Sequence, residues 1–537
     1  MTDTKISSGS LLVQRRAAHF AGHWIAGADL GSRSVRRRLM AVLRMASRVL
    51  GMRRRGHGLG MLGNGRVLAA ALGAMALGGT ATPALAQFVG GGGTANGVRG
   101  IAIGSGAVQN GADSIAEGTN ASAGSQNAVA IGFGTIASAI NSIYLGSRTA
   151  PGTGVTAQSA IGIGTDVTAS QVDAIAIGRS SVGSAQYSVA LGLNAKATGT
   201  GGAMALGQGT ISNNVNTVAL GVQAQAINAG ANALGTFSIA SGGNSTAVGT
   251  SSWASGANAF AGGWASVASG DSATALGKSA TASAINSVAV GSSTVASGAF
   301  GVAMGNQAQT LAGGGAVAIG SGATVAATGT SSVALGNNAN AGGVLSVATG
   351  AGANASGDNS TATGRQAAAS GTNASAYGSG TVAAGDNSLA AGVSANAAGS
   401  ASTALGIGTV ASADNSTAVG RESRATGLNS TALGRGAQSS ALNSISLGAG
   451  TRASGIGAVY VGSSTFATSA SGNNAIGIGT DVTASDDDAI AMGRDSQATA
   501  TNAVAVGLQS AALSADSVAI GTGATADGGK AVAIGAG

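Results

Sequence analysis

The sequence contains no cysteine, only two prolines and three histidines in 537 residues, with 8% charged and 3% aromatic residues. An ordinary domain carries about 25% charged residues. Without cysteine there is no disulfide framework and no thiolate metal site. His19, His23 and His57 all lie in the first 86 residues, so the remaining chain lacks an imidazole base or ligand. Positive charge is also scarce where it counts. Thirteen of the 25 Lys and Arg, but two of the 18 Asp and Glu, fall in residues 1–86, leaving twelve positive and sixteen negative charges in 87–537. The net charge of +7 and the pI near 10.4 therefore belong to the N-terminus. No clustered basic patch for nucleic acid exists beyond it.

What is present is glycine, 95 residues, in a chain that is 44% hydrophobic. So much Gly implies either low complexity or a short repeat that uses Gly at fixed turns, and the apolar content favours the repeat. Residues 1–86 read as a leader. Arg53-Arg54-Arg55 and Arg66 precede the apolar run Val67–Leu77, and Pro83-Ala84-Leu85-Ala86 follows, then Gln87. A basic stretch, a short apolar core and an Ala-x-Ala end are the pattern of a secretory signal peptide, with cleavage expected between Ala86 and Gln87. The run is too short to span ~30 Å of hydrocarbon. The preceding fifty residues fit either an extended signal region or a start at Met40, Met45, Met52 or Met61. Residues 87–100 are expected to be a Gly-rich linker, and 101–537 the repeats.

Thirty-one glycines close an apolar triplet, from Gly104 to Gly535, and Gly336 to Gly462 keep a 14-residue spacing without a break. Phase slips of one to four residues fall only between groups. Ala usually sits two before the Gly, with Val, Ile, Leu or Thr on either side of it, as in Ser517-Val-Ala-Ile-Gly521. That alternation predicts a strand. Small residues three and five after the Gly, such as Ser423 and Ala425, predict a second, shorter strand. Asn or Asp five before the Gly (Asn286, Asn415, Asn429, Asn443, Asp516) suits a turn that needs unusual backbone angles. A unit this thin cannot bury a core alone and must stack, each strand parallel to its copy ~4.8 Å away. The fold class is thus all-β, a parallel solenoid of 14-residue coils. Both faces of the first strand are too apolar for water, but a two-layer roll has one interior. The other face is expected to meet a further copy of the chain; the pattern leaves open which face does which.

The unit Asn286-Ser-Val-Ala-Val-Gly291, like Asn429-Ser-Thr-Ala-Leu-Gly434, resembles the head repeat of YadA-like trimeric autotransporter adhesins. The resemblance covers about 100–537. It implies a left-handed parallel β-roll, a homotrimer, display at the cell surface by an outer-membrane anchor, attachment to host matrix proteins or cell-surface receptors, and autoaggregation or biofilm roles. That family continues into a neck, a coiled-coil stalk and a β-barrel anchor. This sequence ends inside a repeat, so membrane attachment is expected only through an anchor not present in it. A block is also repeated: Ala160–Ser170 recurs as Ala475–Ser485.

Chemistry on such a scaffold finds little to work with. Left-handed hexapeptide acyltransferases use a histidine base, and pectin-cleaving β-helices use clustered carboxylates. Here Asp486-Asp487-Asp488 is the one acidic run, and it reads as a solvated turn, since Ca²⁺ needs six to eight oxygen ligands. No helix pattern follows the Gly-x-Gly strings, so they are not phosphate loops. No enzyme, cofactor or metal is expected. Trp253, Phe260 and Trp264 lie within twelve residues and form a candidate ligand-contact patch, because Trp is enriched at binding hot spots; local packing is the alternative. Tyr144 and Tyr460 replace the usual Ala just before phase slips and are expected to fill coils whose geometry changes. Arg421, Arg424, Arg435 and Arg452 are expected on a solvated outer face. A non-adhesive structural or ice-binding solenoid is the alternative function. Against ice binding, the aligned Thr361, Thr403, Thr417 and Thr431 lie on the strand expected to be covered.

Overall fold

The coil can be followed residue by residue from Asn415, where the chain turns in a left-handed backbone conformation (φ 56°). Ser416 points inward, Thr417 out, Ala418 in and Val419 out, the alternation any strand imposes. Ser416 and Ala418 are fully buried. Gly420 then reverses the chain at φ 117°. Ser423 and Ala425 point inward from the short strand Arg424–Ala425, while Arg424 faces solvent. Two turns seven residues apart, each with one residue near φ +55° to +60° (Asn415 and Glu422 here), make the coil a doubled seven-residue unit.

A computed structural model describes residues 87–311 and 313–537, and the leader with its cleavage site at Ala86 lies outside the described residues. Among the described residues every strand pairing is parallel. The three- and five-residue strands form one 32-stranded sheet. The two-residue strands form a second ladder, which a single bridged residue, Ala470, carries across from Ala453 to Ala484. At ~4.8 Å per step the stack is about 150 Å long.

The interior is almost entirely alanine, serine and threonine, and nearly all of it is fully buried. This settles which face of the first strand lines the roll: the Ala face is inside, and the Val, Ile, Leu and Thr face is outside. Small side chains let the two sheets approach closely, and buried hydroxyls close the turns. Ser416 Oγ donates to the Ala413 carbonyl (2.6 Å) and Ser423 Oγ to that of Gly420 (3.0 Å). The Gly of each triplet is required twice over. Its φ is closed to L side chains, and a Cβ at Gly420 would stand 2.7 Å from the carbonyl of Gly434 in the next coil.

Residues 87–100, expected as a linker, instead begin the solenoid. Phe88–Gly90 pairs with Ile101–Ile103, and Thr94–Ala95 with Val108–Gln109. The segment lacks the diagnostic Ala–Gly triplet, so its Phe-Val-Gly strand was hidden from a pattern search. The fully buried Gln109 occupies an alanine position there. Its amide donates to Ser114 Oγ (2.6 Å) and to the Gly111 carbonyl, and its oxygen accepts from the Gly97 N–H (3.0 Å).

Candidate functional site

Two outward surfaces differ in chemistry. The long-strand face is mostly aliphatic or threonine, interrupted at Glu117, Asn232, Phe260 and Tyr377: Ile161, Ile175 and Val189 stack in register, as do Val504, Val518 and Val532. Parts of it stand well exposed in the single chain, Leu220 at 47% and Leu276 at 46%. The short-strand face presents one residue per coil, and that residue varies from Lys196 to Gln225, Ile239, Trp253, Asn396 and Arg424. Thr361, Thr403, Thr417 and Thr431 lie on the long-strand face, pointing out of the roll among aliphatic neighbours.

The structure separates the three clustered aromatics. Ala254 and Ala261 point inward beside them, so Trp253 faces out from the short-strand sheet and Phe260 from the long-strand sheet. Trp264 lies in the turn between the sheets, with the Lys278 ammonium 5.4 Å from its ring centre. Trp253 Nε1 donates to Ser241 Oγ (3.3 Å) one coil earlier. No single face holds all three.

Other aromatics were not singled out from the sequence. Tyr187, Phe237 and Phe300 are half or more exposed and occupy turn positions with φ of 57–59°, unusual for bulky residues. Their signal was available: each replaces the Asn, Ser or Gly otherwise found at a turn. Of the four arginines read as a solvated face, Arg424 and Arg452 project from the short-strand sheet with Gln438 between them, and Arg421 and Arg435 lie in Gly turns.

Tyr144 and Tyr460 are the largest fully buried side chains. Each fills the roll where a coil lengthens to 18 or 17 residues, as expected. Glycine stands at the alanine position of the following coil, Gly162 and Gly477, and a Cβ at Gly477 would come within 3.3 Å of the Tyr460 ring. Tyr460 Oη accepts from the Val482 N–H (2.9 Å), and Tyr144 Oη donates to the Ser147 carbonyl (2.8 Å). The extra residues form loops pinned by an aspartate. Asp166 accepts from Thr149 N, Thr149 Oγ1 and Ala150 N (2.6–2.7 Å), and Asp481 likewise from Thr465 and Phe466. Hydrogen bonds from Ala150 and Thr149 hold the Asp166 carboxyl below its ordinary range. Burial pushes Asp481 upward, but the bonds from Thr465 and Phe466 outweigh it and its pKa is also lowered. The duplicated block is thus a junction unit.

Among the described residues no group of three His, Cys, Asp or Glu is arranged to hold a metal ion. In the run 486–488 each carboxylate accepts a different turn bond, from Asp487 N (2.8 Å), Asn473 N (2.8 Å) and Asn474 Nδ2 (3.1 Å) respectively.

Coils of this length, stacked parallel with a small-residue interior and a glycine hinge, define a class of repetitive parallel β-solenoids. The sequence profile described as YadA head domain repeat (2 copies) matches the chain from residues 95–121 through 327–353 to 512–537, over more than half its length in all. The chain belongs to that family, an adhesin-type autotransporter head that is structural rather than enzymatic. No curated protein matches the chain.

Proposed function

We propose that this chain is the adhesive head of a trimeric autotransporter. Three copies pack their aliphatic long-strand faces about a common axis. The short-strand faces and turn edges stay outside and attach the cell to host matrix proteins or cell-surface receptors, and to other cells in aggregates and biofilms. Residues 1–86 serve as the export signal, cut between Ala86 and Gln87.

One observation carries this reading: the two outward faces are unlike. A face that must fit copies of itself stays uniform, and a large exposed apolar face marks an interaction site. The face presented to ligands can vary from coil to coil, and weak contacts repeated along a rod add up through multivalency. Trp253 and Trp264, with the turn aromatics, are the proposed ligand contacts, and Phe260 belongs to the self-association face. Binding of purified residues 87–537 to immobilised matrix proteins and to host cells tests the proposal. Retention should exceed that of a variant with Trp253, Trp264, Tyr187 and Phe300 changed to serine. Equal retention of the two would reject these contacts, and no retention of either would reject the adhesive role.

A further inference from the structure

Five long strands carry an acid at one edge of the flattened roll and a base at the other, although entry acids such as Asp386 stand on strands without a base and Glu422 and Asp495 share exit turns with Arg421 and Arg494. One edge is the turn that enters each long strand; the other is the Gly turn that leaves it. Asp173, Asp271, Asp358, Asp414 and Asp487 lie on the entry edge. Arg179, Lys278, Arg365, Arg421 and Arg494 lie on the exit edge of the same five long strands, and all ten residues are exposed. Of the other two basic residues in Gly turns, Arg148 is tied to its own loop through the Thr153 carbonyl (2.8 Å), and Arg435 has no acid on its strand.

Among the described residues the ion pairs within the chain are Arg99–Asp113, Arg421–Glu422 and Arg494–Asp495, and none joins the two edges. Nor can they meet across the roll, since a strand lies between them. Yet four of the acids are already held in place. Asp271, Asp358, Asp414 and Asp487 each accept a backbone N–H from the preceding coil through Oδ1 (2.8–2.9 Å), which leaves Oδ2 unused by that bond. Lys278 is steadied over Trp264.

Resting on the self-association reading above, we propose that these edges pair between neighbouring copies and set their register: parallel, side by side and level. Rotation about an axis along the stack keeps every coil at its own height. The entry edge of one copy then meets the exit edge of the next at the same strand, so each Asp faces the base seven residues on (six for Asp173). An antiparallel arrangement matches no such levels. The aliphatic face alone repeats every coil, so it would tolerate slips of one coil or more, as uniform ladders do. Sparse, irregularly spaced charges single out one register, and like charges brought level oppose the others.

The absence of native cysteine allows a direct test in the full chain. Asp271→Cys with Lys278→Cys places one thiol on each edge at one level, and a short bismaleimide should link the copies into a closed covalent ring. Asp271→Cys with Arg365→Cys, six coils out of level, should give none. Reversing all five bases to Glu should weaken association on the order of a hundredfold, more at low salt, and reversing the five acids to Lys as well should restore it. Equal linking of matched and mismatched pairs, or no linking while the unmodified chain sediments as an oligomer, overturns the edge pairing but leaves self-association standing. A monomeric unmodified chain removes both.

Discussion

Between Gly336 and Gly462 the solenoid advances through ten Gly turns without changing step, whereas at Tyr144 and Tyr460 the coil widens and a loop leaves the surface. The regular stretch is held by repetition. Each coil meets a closely similar neighbour, and up to Tyr460 the interior is Ala, Ser and Thr, with no side chain large enough to distinguish one level from another. The junctions are held by complementarity. A tyrosine fits because the next coil supplies glycine, its hydroxyl serves backbone groups that the lengthened coil would otherwise leave unpaired, and an aspartate fastens the projecting loop. Coils longer by one or two residues, from Val189 to Met204, Val302 to Val317 and Val317 to Val333, keep alanine inside, whereas a coil longer by three or four is accepted where several substitutions arrive together. This explains why the second junction repeats the first as a block.

The largest effect should come from breaking a junction. Tyr460→Ala removes the ring from a site lined by Gly477 and Val482 and leaves the Val482 N–H without its acceptor. Loss of a buried aromatic costs about 3–5 kcal/mol. In a solenoid, where each coil contacts only its neighbours, the loss should appear as local opening. Hydrogen exchange of residues 459–485 should speed up while residues 340–440 keep their protection; a uniform change along the whole stack would contradict nearest-neighbour stability. The reverse experiment sharpens the comparison. Ala418→Tyr in the regular stretch should destabilise strongly, and adding Ala432→Gly in the next coil should recover part of the loss, copying the Tyr–Gly pair.

A smaller effect is expected at the hinge glycines. Gly420→Ala forces a side chain into a backbone conformation that costs about 1–3 kcal/mol and against the Gly434 carbonyl 2.7 Å away. A loss of about 3 kcal/mol in denaturant unfolding is expected. The same substitution at Gly152, on the exposed junction loop, has φ 81° but nothing within 4 Å of the added Cβ. It should therefore cost only the backbone term. Equal losses at the two sites would show that coil-to-coil contact contributes nothing to the hinge requirement.

These contrasts also show why some of the fold was legible in the sequence and some was not. The 14-residue spacing fixed the coils, because Ala two before Gly and Asn five before it are forced by inward space and backbone angle, and two of the five phase slips were marked as junctions by the tyrosines that precede them. The pattern could not say which strand face lines the roll. Val and Ala are both apolar, and only the width of the interior, set by both sheets together, selects the smaller. The second left-handed turn position escaped notice because Gly, Ser, Gln, Asn and Asp all occupy it. Phe88–Gly90 was missed because it lacks the triplet. The aromatics at 253, 260 and 264 looked like one patch because sequence distance does not show that a strand and a turn send neighbours to different faces.

The smallest expected effect distinguishes the two regions by pH. Within the strands of the regular stretch backbone donors go to carbonyls, as Val410 N does to Ser423 (2.9 Å), and none of those acceptors titrates; its carboxylates, such as Asp358 and Asp414, accept from turn amides. At the first junction the donors of Thr149 and Ala150 go to Asp166. Because the folded carboxyl titrates below its ordinary range, its contribution is complete above the ordinary aspartate value of about 3.9. It fades as the pH falls through the lowered folded value. Exchange at Thr149 and Ala150, corrected for intrinsic rates, should therefore accelerate in that acid window, while Val410 shows no such step. Asp166→Asn should remove the pH step and leave the loop faster at every pH, without altering the protection of Ile161–Thr165 beneath it. If Asp166→Asn instead loosened that five-residue pairing, the aspartate would be holding the junction strand and not merely its loop.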